Sequence, residues 1–130
     1  MTWMTARQTC ENICRASGDL ASIKDEEALN FIINKFTLSY YVWIGGEKKE
    51  GKWTWTDGTN FGYENWASNQ PYYIPSNGYN HYSSNIYIMM TSGSSRSWYD
   101  RSNGYSYGAL CQCDNSKSFL FMLKCIFSFI

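Results

Sequence analysis

The chain has one histidine, two prolines and no surplus of either charge: 11 basic and 11 acidic side chains stand among 130 residues. Balanced charge gives no general pull toward nucleic acid or an anionic membrane, and no basic run alternates with aromatics. The lone histidine, His81, stands in an Asn-rich stretch without a Ser or Cys motif that would complete a nucleophilic triad. Asp100 and Glu64 are the carboxylates one would pair for glycoside hydrolysis, but nothing in the sequence sets them at the required separation. The reading is therefore not an enzyme. No apolar run is long enough to span a bilayer unaided. The tail "SFLFMLKCIFSFI" is 13 residues long and is interrupted by Lys124. It stays open between a peripheral membrane anchor, a packing segment and a stretch foreign to the domain. A cationic stretch followed by an apolar one is also missing before Trp3, so a secreted form is expected to have its true start outside this chain.

What is abundant is aromatic. Phe, Trp and Tyr make up 18% of the residues against 17% charged. Tyr, Ser, Asn and Gly crowd together between residues 72 and 108, a mixture of rigid amphipathic rings and small adaptable polar groups typical of binding surfaces. At this length one domain with one core is expected.

Five cysteines carry more information. Cys10 and Cys14 are four apart in a helical segment, and Cys111 and Cys113 are two apart in a strand, so each pair shares a face. Bridges within a pair fit poorly, because helical neighbours at this spacing hold their Cβ atoms about 5–6 Å apart and a disulfide wants roughly 3.5–4.5 Å. Between the elements the fit is good: four helical residues rise about 6 Å and two strand residues about 6.6 Å. Two parallel rungs from the first helix to the last strand are expected, a design suited to an oxidising compartment. Zinc is disfavoured, since CxxxC and CxC do not match structural zinc spacing. Cys125, in the tail, has no obvious partner.

Along the chain, residues 4–15 have helical composition. A second helix opens around Ser22–Glu27, with acidic residues in its first turn, and carries Ala28, Leu29, Phe31, Ile32, Ile33 and Phe36 at helical spacing. Strands follow: "YYVWIGGEK", expected to end at Gly-Gly; "GKWTWTDGT", alternating Trp53 and Trp55; then 85–90, 95–100 and 107–113. Residues 59–84 read as one long loop, a length that in a compact domain is functional or disordered. The class is α+β.

In this order the residues resemble the C-type lectin-like domain. The matches are Trp3 with Ala6, the helix cysteine, "GDLASI" (18–23), "WIGG" (43–46), "WTWTDGT" (53–59), Asn65-Trp66 with Gln70-Pro71, "WYD" (98–100) and "ALC" ending at Cys111. The resemblance covers about residues 3–114, with 115–130 an apolar tail of unknown role, and the family's opening strand is expected to be missing. It implies two helices, two small antiparallel sheets and a long ligand-bearing loop region. One bridge is implied from the first helix to Cys111, with Cys10 or Cys14 at its helix end. A further family bridge would fall near Asn85 and Asn103, neither of them Cys.

The resemblance also implies where a metal and a sugar would sit. Calcium-binding relatives use a Glu-Pro-Asn or Gln-Pro-Asp triplet, an additional acidic residue and the Asn-Asp of Trp-Asn-Asp. Here Gln70, Pro71 and Asp100 match, but Tyr72 and Tyr99 replace two ligands and no acidic residue lies between Gln70 and Asp100. Gln70 and Asp100 are the candidate metal residues, a set too poor in charge for tight calcium binding. No other cofactor is implied. The candidate ligand residues are Gln70, Tyr72, Tyr73, Trp98, Tyr99 and Asp100, with Tyr79 and Tyr82 as further members of a tyrosine platform. The reading is a secreted or extracellular recognition module that binds a glycan or glycoprotein weakly or without calcium. The alternative is a lectin-like domain with a protein ligand.

Overall fold

The computed structural model describes residues 1–14, 18–72, 84–113 and 125–127. Helix α1 runs Trp3–Ile13 and is capped by Thr2, whose hydroxyl accepts from Thr5 N–H. It therefore begins one residue earlier than composition suggests and closes at Cys14, whose N–H donates to the Cys10 carbonyl. Trp3, Ala6 and Cys10 form its buried stripe at spacings of three and four. Strand β1 is Gly18–Leu20. Helix α2, Glu26–Lys35, takes Asp25 as its cap, with the carboxylate accepting from Ala28 N–H at 2.8 Å. Glu26 and Glu27 stand at its positive end and Lys35 at its negative end.

Strands β2 (Val42–Lys49) and β3 (Lys52–Trp55) form a hairpin. The expected stop at Gly45-Gly46 does not occur; the strand passes straight through. These glycines serve close approach instead of a turn. A Cβ on Gly45 would stand 2.8 Å from the Leu20 carbonyl oxygen, and one on Gly46 would run into the Ile88 side chain. The turn lies at Glu50-Gly51, both with positive φ (51° and 76°), as a two-residue hairpin loop requires. Strands β4 (Tyr87–Met90), β5 (Trp98–Arg101) and β6 (Gly108–Cys113) follow. Strand β7, Cys125–Phe127, brings three tail residues antiparallel to β6, pairing Ala109 with Phe127 and Cys111 with Cys125.

The two antiparallel sheets are joined. One wing is β1, β6 and β7; the other is β3, β2, β4 and β5. A short parallel contact, Val42 to Gly108 and Trp43 to Ala109, links β2 to β6. Strand alternation then divides the core in two. One side packs α2 against Ile44, Ile88, Met90, Trp98 and Leu110. The other packs α1 against Leu20, Trp43, Met89, Ala109 and Cys111. Two bridges clamp α1 to β6: Cys10–Cys111 with Cα atoms 5.3 Å apart, and Cys14–Cys113 at 5.1 Å. They are the two parallel rungs, and Cys10 is the helix end of the Cys111 bridge.

Candidate functional site

The loop beginning at Asn65 is anchored before it is displayed. Trp66 docks beside Trp98 through backbone bonds on both sides: Trp98 N–H donates to Asn65 O (2.9 Å) and Ala67 N–H to Trp98 O (3.0 Å). The Asn65 carboxamide donates to the carbonyls of Ser95 and Arg96. Around Trp98 the rings of Trp55, Phe61, Tyr63 and Trp66 stand edge-on, with centroids 5.5–6.2 Å away. Arg96 is buried and donates to the Phe36 carbonyl at 2.7 Å, tying this corner to the end of α2; burial pushes its pKa down.

The chain then turns at Asn69 (φ 64°) and passes through a cis Gln70–Pro71 peptide. That geometry brings Gln70 and Tyr72 against Asp100. The Asp100 N–H donates to Gln70 Oε1 (3.3 Å), and Asp100 Oδ1 accepts from Tyr72 N–H (3.0 Å). Its carbonyl accepts from Arg101 (2.8 Å) and from Asn85 (3.5 Å). Asp100 is fully buried. The nearby ammonium of Lys48, whose pKa is lowered by burial and partly restored by the Asp100 charge, lies across the Trp53 ring at 5.0 Å.

This donor set does not fit a calcium ion. Six to eight oxygens with several carboxylates are wanted, whereas among the described residues the loop brings together one carboxylate and one carboxamide oxygen, both already accepting backbone N–H groups. A lysine cation faces the same carboxylate. Among the described residues no cluster of three or more His, Cys, Asp or Glu side chains could hold a metal.

The candidate residues do not form one surface. Gln70, Tyr72 and Asp100 come together, with Tyr72 42% exposed and Asp100 beneath it. Trp98, taken as a ligand residue, is fully buried at the centre of an aromatic cluster, so its ring supports the loop and offers no face to a ligand. Tyr99 leaves the platform altogether. Successive strand residues point to opposite faces, so Trp98 and Asp100 face the loop while Tyr99 packs on the α1 side. Tyr73, Tyr79, His81 and Tyr82 lie outside the described residues. Sequence reasoning missed Lys48 and the backbone contacts of Asn85 and Arg101 around Asp100. Lys48 is 52 positions from Asp100, and only the fold brings them near.

Two helices, a joined pair of antiparallel wings and a cis Gln-Pro step set against a Trp-x-Asp strand define a lectin-like domain. The family model for the lectin C-type domain matches residues 1–113, and the chain belongs to that family. It is 40% identical over 77 residues to the galactose-specific lectin nattectin of Thalassophryne nattereri, covering 55% of this chain and 46% of nattectin. It is 34% identical over 113 residues to a type-2 ice-structuring protein of Brachyopsis segaliensis, covering 85% of this chain and 60% of that one. The chain thus spans less than two thirds of either relative. Among solved structures, a calcium-independent type II antifreeze protein superposes with a TM-score of 0.68 at 32% identity, covering 84% of this chain and 75% of the other.

Proposed function

We propose that this domain is an extracellular recognition module that binds carbohydrate weakly and without calcium through the loop face at Gln70 and Tyr72, with Tyr73 as a further contact. The observation that carries the reading is the closed hydrogen-bond circuit of Gln70, Asp100 and Tyr72, which holds the loop where a cation otherwise would. Tyr72 is the exposed ring above that circuit, able to stack on the apolar face of a pyranose and to offer a phenolic hydroxyl. The two bridges favour an oxidising, extracellular setting. Relatives with lectin and ice-structuring names support binding without turnover.

A glycan array of the oxidised domain, run with calcium and with EDTA, tests this. Equal binding in both arms, lost in Tyr72→Ala, is the expected result. Loss in EDTA overturns calcium independence. A second reading, adsorption to ice, is favoured by the relative covering most of this chain and by the calcium-independent antifreeze structure. Thermal hysteresis with no array signal selects it. Silence in both assays moves the function to a protein ligand.

A further inference from the structure

Among the described residues, the exposed aromatic side chains are concentrated away from the loop face. Of the exposed large apolar side chains among the described residues, only Tyr72 belongs to the loop face, while Tyr40, Tyr41 and Tyr105 are 48%, 40% and 50% exposed at one site on the α1 side. Their rings surround Tyr107. Tyr105 stacks on it nearly parallel, with centroids 6.0 Å apart at 9°, and Tyr40 and Tyr41 approach at 6.4 and 6.0 Å. Tyr107 is itself held from below by the Trp43 ring at 4.7 Å.

A cation completes the group. The Arg101 guanidinium lies over Tyr99 at 5.1 Å and over Tyr105 at 5.7 Å. It is oriented by donation to the Asp100 carbonyl, and its charge lies near the Tyr107 hydroxyl, whose pKa burial raises and Arg101 partly restores. No ion pair to Arg101 forms among the described residues. Five N–H groups in a rigid fork, with one donating to the Asp100 carbonyl, leave donors for an external anion. Exposed phenolic rings beside an oriented arginine match a sugar ring that carries a negative group: the rings stack and the fork takes the charge.

From this juxtaposition we infer that Tyr40, Tyr41, Tyr99, Arg101, Tyr105 and Tyr107 form a second binding site, for the acidic residue of an anionic saccharide. The site shares no ligand-facing side chain with the loop face and stands or falls independently of the loop reading. Arg101 and Tyr105 carry it; the Asp100 carbonyl and the Tyr99 ring position the guanidinium, and Tyr107 supports the Tyr105 ring.

The test is calorimetric and NMR titration of the oxidised full chain with 3′-sialyllactose (carboxylate), a heparin tetrasaccharide (sulfate) and lactose (neutral). Binding of one or both acidic probes is expected, with lactose inert at the same concentration and shifts centred on Tyr41, Arg101 and Tyr105. Binding of one acidic probe alone supports the site, and binding of 3′-sialyllactose assigns the charge it takes to a carboxylate. Arg101→Gln should weaken it about tenfold, with Arg101→Lys intermediate because charge survives and the fork does not. Tyr105→Ala, a substitution at an exposed ring, should weaken it severalfold while leaving the fold intact. Tyr72→Ala should leave it unchanged. The inference is overturned by no binding of either acidic probe, by equal lactose binding, by unchanged affinity in both Arg101→Gln and Tyr105→Ala, or by loss in Tyr72→Ala alone. The last outcome would instead place acidic sugars on the loop face.

Discussion

The two faces of strand β5 use the same kinds of residue for opposite ends. Toward the loop, Trp98 and Asp100 are fully buried, and a carboxylate that looks like a ligand in the sequence is consumed in accepting the Tyr72 N–H, while the backbone N–H of the same residue holds Gln70. Toward α1, Tyr99 and Arg101 are only partly covered and adjoin three exposed tyrosines. One step along a strand reverses the side chain, so four consecutive residues supply the inner support of one surface and part of another. Residue type alone therefore says little about which side chains meet a ligand; the strand phase decides it.

Substitutions should separate the faces by magnitude. Trp98→Ala removes the ring at the centre of the aromatic cluster and should cost about 3–5 kcal/mol, read by denaturant unfolding. A loss below about 1 kcal/mol would mean that the loop does not rest on that ring. Asp100→Ala removes the acceptor of the part-buried Tyr72 N–H and a fully buried side chain, and should cost about 1–3 kcal/mol. Asp100→Asn keeps an acceptor oxygen and should cost less. Adding calcium to the wild type at about 5 mM should not move the melting temperature, since only a ligand that binds the native state shifts it. A rise of several degrees would reopen the metal question for the loop face.

A smaller effect belongs to Asp57, whose carboxylate joins Ser22, Gln112 and Thr59 on the Leu110 side of the sheet at 2.7, 2.7 and 2.9 Å. Burial alone would raise its pKa, but donation from the Thr59 N–H, Gln112 and Ser22 outweighs it, and the net shift is below the ordinary 3.8. A depressed folded pKa contributes stability that is complete above the unfolded value and is lost as pH falls through the folded one. Asp57→Asn should therefore cost about 1 kcal/mol at neutral pH, after discounting for its solvent exposure. It should also flatten the loss of stability below about pH 4. An unchanged acid limb would remove Asp57 from that account. Smallest of all, Tyr72→Ala and Tyr105→Ala should each change stability by less than about 0.5 kcal/mol, since both rings are largely outside the core. A large loss at either would show that its ring is a packing element.

Much of this was legible in the sequence. Helical spacing marked both helices, and the matched rise of a four-residue helical step and a two-residue strand step indicated the two rungs. The Gln-Pro step marked where the loop meets Asp100. The glycines of "WIGG" misled because what they answer to, the Leu20 carbonyl on one side and Ile88 on the other, is contributed by other strands. Tyr99 misled for a different reason. The alternation that turns it away from Asp100 is written in "WYDR", but a motif matched as one unit hides it. The tyrosine cluster was beyond reach, because Tyr40 and Tyr107 meet only once β2 and β6 lie parallel.

The two bridges have a consequence for survival outside a cell. They join residues 10 and 14 to residues 111 and 113, so the whole intervening chain is a covalent ring closed twice. A protease that cuts once anywhere between Cys14 and Cys111 opens a loop and releases nothing. The nicked protein keeps its mass apart from one added water, migrates as one species until reduced, and still holds α1 on β6. Either face can thus take a cut in its own loop while the bridges keep the two pieces joined.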